Sequence, residues 1–146
     1  MQGVERLPFR KVLLGLDTSE QSLNVLHTAA ELSRAFDAKL IVCTVVNIPT
    51  SVRGNELDGF PANDEERKIL DKLDYLVHQE LGSNETVDLK ILHGDPAERI
   101  AEYAEYSNCD LIMVGSRGQG AIKKALLGSV SSSVASRSKK SVLIFR

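Results

Sequence analysis

The sequence predicts a doubly wound α/β fold, in which a five-stranded parallel sheet carries helices on both faces. Short apolar runs rich in β-branched residues alternate along the chain with segments whose apolar residues recur every three or four positions. Most joins between these segments are short, and right-handed crossovers between parallel strands place helices above and below the sheet. The 146 residues suffice for one buried core, so we expect residues 1–146 to form a single domain.

The first strand and helix are predicted between Lys11 and Phe36. Lys11 to Leu16 is a nearly continuous apolar run, typical of a buried strand. Thr18 and Gln21 have the spacing of a capping box at the start of the following helix. The predicted buried face of that helix comprises Leu23, Leu26, Ala29, Ala30, Ser33 and Phe36.

The second unit follows the same pattern. Leu40 to Val46 is an apolar, β-branched strand. Asn63 is an N-cap candidate before an acidic first turn, and Gly82 is a natural end for the helix. The apolar stripe between them comprises Ile69, Leu70, Leu73, Leu76, Val77 and Leu81.

The later elements are shorter. Val87 to Leu92 is the third predicted strand, and Asp95-Pro96 supplies an N-cap and an N1 proline for the third helix. Leu111 to Val114 is the fourth strand, and Ser141 to Arg146 is a fifth strand that ends the sequence. In such sheets ligands bind beyond the carboxyl ends of the strands, so candidate site residues follow each strand.

One predicted connection is unusually long. Asn47 to Pro61 contains two prolines and two glycines and shows no sustained periodicity. It is either a lid over a ligand or an insertion with no role in binding, and the sequence does not choose between them.

Composition excludes several classes of protein. Apolar residues make up 42% of the chain and charged residues 26%, which is typical of a globular protein. The net charge of −2, without aromatic residues among the basic ones, argues against nucleic acid as the main partner. No apolar run approaches the ~20 residues of a membrane span, and the first residues lack a secretory core, so we expect a cytoplasmic protein. Cys43 and Cys109 are predicted to be buried free thiols.

The residues with the clearest binding chemistry follow the fourth strand. Two glycine turns, Gly115-Ser116-Arg117-Gly118-Gln119-Gly120 and Gly128-Ser129, bracket a short apolar segment. Glycine lets backbone N–H groups approach an anion, and a helix starting near Ser129 would add its positive N-terminal dipole. Strand-ending glycines and helix-capping serines also occur without any ligand, so the motif alone leaves both interpretations open.

Charge favours the anion site. No carboxylate follows Asp110, and Arg117 lies inside the glycine loop, where a guanidinium can bind phosphate oxygens in a fork. Lys139 and Lys140 are predicted at a helix end and are better explained as solvated cations. The cations after Asp110 are Arg117, Lys123, Lys124, Arg137, Lys139, Lys140 and Arg146.

The loop resembles a known family signature. Gly115-x-x-Gly118, nine residues and Gly128-Ser129 resemble the G-x2-G-x9-G-[S/T] pattern of the nucleotide-binding branch of universal stress proteins. The similarity extends over essentially the whole chain. The other segments that carry it are Val12 to Asp17 with Ser19, His93 to Pro96, Asp110 to Gly118, and Leu126 to Val130.

The resemblance implies a sheet of the adenine nucleotide alpha-hydrolase type, with strand order 3-2-1-4-5. It also implies that ATP is bound, with Mg²⁺ or Mn²⁺ on the phosphates. The positions matching the family's binding residues are Gly115, Gly118, Gly128 and Ser129 for phosphate and ribose, with Val114 and Val130 beside them; Gly15 and Asp17 for the adenosine portion; and Val45 for the adenine edge.

Several details qualify this site. Asp17 alternatively caps the first helix. Arg117 stands where many relatives have histidine, a difference expected to alter phosphate binding or turnover. Ser141 stands where a proline usually precedes the last strand. The resemblance puts that strand at a sheet edge, which predicts a homodimer formed through Val142 to Phe145.

The sequence leaves three functions open. The first is an ATP-binding regulatory dimer of the stress response, and the second is a slow ATPase or self-phosphorylating switch that uses the Ser129–Ser133 run. The third is an interaction module without a ligand. There is no P-loop motif, no nucleophile with its base, and no receiver-domain acid pair. His93 is expected to be structural or peripheral, because no partner for it is identified.

Overall fold

The computed structural model describes residues 9–17, 21–46, 58–82, 87–116 and 128–146. Strands and helices alternate within these ranges, as the sequence predicts. The elements, in chain order, are β1 (Lys11–Gly15), α1 (Gln21–Phe36), β2 (Lys39–Val46), α2 (Asp64–Leu81), β3 (Val87–His93), α3 (Pro96–Tyr106), β4 (Leu111–Gly115), α4 (Ser129–Arg137) and β5 (Ser141–Phe145).

The five strands form one parallel sheet in the order β3-β2-β1-β4-β5. The central strand β1 pairs with β2 on one side and β4 on the other. Both the fold class and the strand order expected from the family resemblance are therefore confirmed.

Two apolar layers cover the sheet. One layer packs α1 and α2 against one face, and its fully buried members include Leu14, Leu26 and Leu73. The other packs α3 and α4 against the opposite face around Leu13 and Ile112. Side chains of neighbouring positions in β1 alternate between the layers, as the pleat of a strand buried on both faces requires.

Helix ends follow the predicted caps where the structure describes them. The Asn63 side chain accepts a hydrogen bond from the Glu66 N–H at 2.9 Å, and Asp95 accepts one from the Glu98 N–H at 3.0 Å. Gly82 ends α2 with a positive φ of 82°. The predicted box of Thr18 and Gln21 lies outside the described residues, since Thr18 is not among them.

The described end of the long connection lies along the outer edge of β3. The carbonyl of Gly59 accepts a hydrogen bond from the Ile91 N–H at 2.9 Å, and the Lys90 ammonium lies 4.6 Å from the centre of the Phe60 ring. This part of the connection is thus attached to the sheet. Residues 47–57, on which the choice between lid and insertion depends, lie outside the described ranges.

Candidate functional site

The strand order places a crevice between the carboxyl ends of β1 and β4. The connection from β1 leads to β2 on one side, whereas β4 continues to β5 on the other, so the strand order reverses between them. Gly15 at the end of β1 is in register with Val114 of β4. Ligands of doubly wound sheets bind where the order reverses in this way, so this crevice is the candidate site.

Ser116 joins three backbone segments at this edge. Its N–H donates to the Phe145 carbonyl at 2.6 Å, and its carbonyl accepts from the Gly128 N–H, also at 2.6 Å. A Cβ built on Gly128 would lie 2.5 Å from the same Ser116 oxygen. Glycine is therefore required at position 128 by the close approach of two backbones. This contact brings the start of α4 next to the end of β4.

The N-terminus of α4 differs from those of α2 and α3. Its N-cap residue is Gly128, which has no side chain to accept a hydrogen bond from the first turn. The buried Ser131 hydroxyl donates to the Gly128 carbonyl at 3.0 Å and so holds the turn from within. Backbone N–H groups of a first turn that lacks a side-chain cap are suited to an anion, which the helix dipole also attracts.

Gly15 is explained by packing. A Cβ at this position would lie 2.8 Å from Ile100 Cδ1 of α3 and 3.4 Å from Val114 Cγ1. The absence of a side chain therefore lets α3 approach the sheet closely beside the crevice. The family resemblance assigned Gly15 to the adenosine portion, and the packing supplies a second reason for glycine there.

The other predicted residues are distributed around the same edge. Val45 is half-buried near the end of β2, on the α3 side of the sheet, and Gly115 ends β4 in register with Phe145. Asp17 is half-buried just beyond β1. Ser129 and Val130 are exposed in the first turn of α4.

Two predicted residues, Arg117 and Gly118, lie outside the described ranges, as do the residues that would show whether Asp17 caps α1. Within the described ranges, the family-matched positions thus lie on the carboxyl edge of β2, β1 and β4 and on the first turn of α4.

Of the described cations in the basic C-terminal quarter, only Arg146, directly after β5, lies at the carboxyl edge of the sheet. Helix α4 runs away from the carboxyl edge, so Arg137, Lys139 and Lys140 lie toward the opposite edge. Arg137 Nε donates to the Ser133 hydroxyl at 3.0 Å, and the Lys140 ammonium lies 4.0 Å from a Glu105 carboxylate oxygen. The interpretation of Lys139 and Lys140 as helix-end cations agrees with this placement.

His93 has a partner that the sequence did not reveal. Its Nε2 lies 2.6 Å from Oε1 of Glu66, and the exposed fractions of the two side chains are only 9% and 6%. The premise that His93 lacks an identified partner is thus corrected, and the structural or peripheral role expected for it stays a prediction. A partial signal was present, because Glu66 stands three residues after the N-cap Asn63, where a glutamate commonly bonds back to the backbone. Which strand end it would face depends on the tertiary packing of α2.

The two cysteines are free and buried, as predicted. Burial raises the pKa of the Cys43 thiol from its ordinary value of 9.0 to about 12, with a smaller contribution from Cys109. Burial also raises the pKa of the Cys109 thiol. Thiols held in the protonated form are poor nucleophiles and poor metal ligands, so neither cysteine is a candidate for chemistry.

Two other kinds of feature are absent from the described ranges. No helix there combines the length and apolarity needed to cross a membrane. Over the same residues, no group of three or more His, Cys, Asp or Glu side chains is placed to hold a metal ion.

Residues 8–146 match the model of the universal stress protein family. The chain belongs to this family. Among curated relatives, it is 31% identical to the universal stress protein YxiE of Bacillus subtilis. The alignment spans 147 positions and covers 94% of this chain and 99% of the relative.

Solved structures of universal stress proteins share the fold. One, a universal stress protein in complex with cAMP, is 27% identical with a TM-score of 0.67 and covers 96% of this chain and 98% of its own. Another, from Archaeoglobus fulgidus in complex with dAMP, is 18% identical with a TM-score of 0.65 and covers 96% of this chain and 100% of its own. The second likeness is one of fold alone.

Proposed function

We propose that this universal stress protein binds an adenine nucleotide in the crevice between β1 and β4, and that the nucleotide in the cell is ATP. Its phosphates lie on the first turn of α4, beside Gly128 and Ser129, with Arg117 and Gly118 completing the loop. The adenine lies toward Val45, and Asp17 faces the ribose side. Mg²⁺ or Mn²⁺ accompanies the phosphates, as their charge favours.

One observation carries this proposal. The Ser116–Gly128 contact holds the glycine-capped first turn of α4 at the carboxyl end of β4, the strand that borders the crevice. A helix N-terminus suited to an anion beside a crevice suited to a ligand supports the proposal. The cAMP complex of a universal stress protein 27% identical to this chain supports an adenine nucleotide as the ligand.

We also propose that the cytoplasmic protein acts as a homodimer whose contacts respond to the nucleotide. β5 is one edge of the sheet, and Leu143 at its centre is exposed. At the opposite edge, the Ile91 N–H of β3 already donates a hydrogen bond to the Gly59 carbonyl. An apolar edge strand invites pairing with a second copy, and a twofold axis closes the assembly.

Catalysis is the weaker alternative. Within the serine run, the Ser131 hydroxyl is buried and bonded to the Gly128 carbonyl, and the Ser133 hydroxyl accepts from Arg137. These two hydroxyls are engaged within α4. Self-phosphorylation would instead require the exposed Ser129 or Ser132 as acceptor, whereas a slow ATPase would transfer the phosphoryl group to water. Timed ADP release no faster than that of a Gly115→Val variant would rule out turnover at this site.

The nucleotide itself is tested on protein purified without added ligand. Heat extraction and mass spectrometry should identify a co-purified adenine nucleotide, and calorimetric titration should give saturable binding of ATP with Mg²⁺. Titrations with AMP and GTP measure the preference for phosphate length and base. A protein that carries no nucleotide and gives no heat with any of these ligands would leave the interaction module as its function.

A further inference from the structure

The buried pair of Glu66 and His93 joins α2 to the carboxyl end of β3. Glu66 Oε1 lies 2.6 Å from His93 Nε2 and also accepts the Ala62 N–H at 2.6 Å. The Glu66 backbone N–H in turn donates to Asn63. The first turn of α2 is thereby attached to β3 through one carboxylate oxygen.

Stability alone is a poor explanation for such a pair. Removing a carboxylate from water is unfavourable, and well-packed apolar side chains of similar volume often stabilise a protein as much as a buried ionisable pair does. The two other histidine–carboxylate pairs among the described residues, His27–Glu31 and His78–Asp74, lie on exposed helix faces where ionisable groups remain solvated. The buried pair therefore calls for an explanation from its position.

The pair lies next to the carboxyl end of β2. His93 is in register with Val46, the last residue of β2, and the N–H of Gly94 donates to the Val46 carbonyl at 2.8 Å. The His93 carbonyl accepts from Arg99 Nε of α3 at 2.8 Å. The His93 side chain therefore contacts α2, and its backbone carbonyl contacts α3. The next residue, Gly94, is hydrogen-bonded to the end of β2.

The turn after β3 has little freedom to shift. Gly94 has a φ of 123°, and a Cβ there would lie 2.7 Å from Arg99 Nε. A displacement of His93 would therefore move the Gly94 N–H and with it the end of β2. Val45, the residue before Val46, is the one proposed to meet the adenine edge.

We propose that the Glu66–His93 pair is a positioning element for the base end of the nucleotide site. It sets the place of the β2 terminus and thereby the affinity for adenine, while the phosphate end depends on Ser116 and Gly128. This inference rests on the proposed function and deepens it. It divides the site into a base end positioned by Glu66 and His93 and a phosphate end positioned by Ser116 and Gly128. Preorganised backbone at the base end strengthens binding because less ordering remains to be done.

The test compares ATP with tripolyphosphate, which offers the phosphates without the base. The main variant carries Glu66→Met and His93→Leu together, so that no ionisable group is left buried without its partner. We expect its dissociation constant for ATP to rise by about tenfold or more. Its tripolyphosphate constant should stay within about twofold of the unsubstituted protein's. The melting temperature shows that the fold is retained.

Two further variants sharpen the comparison. Glu66→Gln keeps an oxygen that can accept from Ala62 and His93, so it should restore ATP affinity to within about twofold. The same Met and Leu substitutions at the exposed Glu31 and His27 are the matched control and should change neither constant.

The outcomes separate this inference from the proposed function. Suppose that the unsubstituted protein binds both ligands. If the double variant then loses affinity equally for ATP and tripolyphosphate, or loses affinity for neither, the positioning role is refuted and nucleotide binding stands. If the unsubstituted protein binds neither ligand, the proposed function itself fails and the inference fails with it. Loss of ATP affinity alone, with recovery in Glu66→Gln, supports the proposal.

Discussion

The Gly128 N–H donates to the Ser116 carbonyl at 2.6 Å, and a Cβ at Gly128 would come within 2.5 Å of that same oxygen. The hydrogen bond and the missing side chain are two aspects of one close approach. Gly128 has a φ of −69°, which any residue can adopt, so contact and not backbone conformation demands glycine. The spacing of the proposed phosphate site depends on this contact.

Gly128→Ala should therefore impair both stability and binding. Separating the two backbones is expected to lower the free energy of unfolding by about 1–3 kcal/mol. It should also weaken ATP binding by about tenfold or more, because the first turn of α4 moves away from β4. Urea unfolding and calorimetry measure the two effects. Ser132→Ala, at an exposed position of the same helix, is the control and should change neither. Unaltered ATP affinity in Gly128→Ala would contradict the proposed site.

Gly15 and Ile100 form a second pair that can be tested by compensation. Gly15→Ala places a methyl group 2.8 Å from Ile100 Cδ1, and overpacking of this kind should cost about 1–3 kcal/mol of unfolding free energy. Ile100→Val removes the offending methyl group. We expect the double variant to be more stable than the sum of the single effects predicts, as measured by a double-mutant cycle. Additive effects would show that glycine is needed there for another reason.

The buried Cys43 thiol predicts a loss of stability in alkali. Its pKa is about 12 in the folded chain and near 9.0 when unfolded, so between these values only the folded state retains the proton. Below pH 9 this thiol therefore leaves the free energy of unfolding unchanged. Above pH 9 the free energy of unfolding falls by about 1.4 kcal/mol per pH unit for one such group.

Denaturant unfolding of the protein and of Cys43→Ala between pH 8 and 10.5 measures this slope. Cys109 and Tyr103 also have raised pKa values, so the informative quantity is the difference between the two curves. The variant should show the shallower decline. Parallel curves would mean that Cys43 ionises equally easily in both states.

Leu143 should control self-association if β5 is the pairing edge. Light scattering at micromolar concentration is expected to give twice the chain mass of 16.0 kDa. Leu143→Lys puts a charge on the apolar centre of the edge and should give the single-chain mass with unchanged helix content. A single-chain mass for the unsubstituted protein would refute the dimer, whereas a dimer that persists in Leu143→Lys would place the interface elsewhere.

The strand–helix alternation was predictable because each of its signals is local. Runs such as Leu40 to Val46 are apolar on both faces, and caps such as Asn63 and Asp95 act within one turn. Each of the five strands differs from its predicted bounds by one residue at one end, where pairing with neighbouring strands decides the boundary. The strand order came from the family resemblance and was confirmed by the sheet.

The candidate site was predictable only in part. The glycines were visible in the sequence, but the reason for Gly128 is a contact with Ser116, twelve positions earlier. The absence of carboxylates after Asp110 favoured an anion site, and the direction of α4 shows that Arg137 and Lys139 lie toward the other edge. The partner of His93 was not identified, because the Glu66 side chain reaches it from a different element.

By itself, the sequence determined the alternation of buried strands with amphipathic helices and the glycine spacing after β4, since both depend on residues close together along the chain. Only the tertiary structure decided that Gly128 must lack a side chain and that Glu66 meets His93. These contacts join residues separated by 12 and 27 positions, and such separations become short distances only when parallel strands and their covering helices pack.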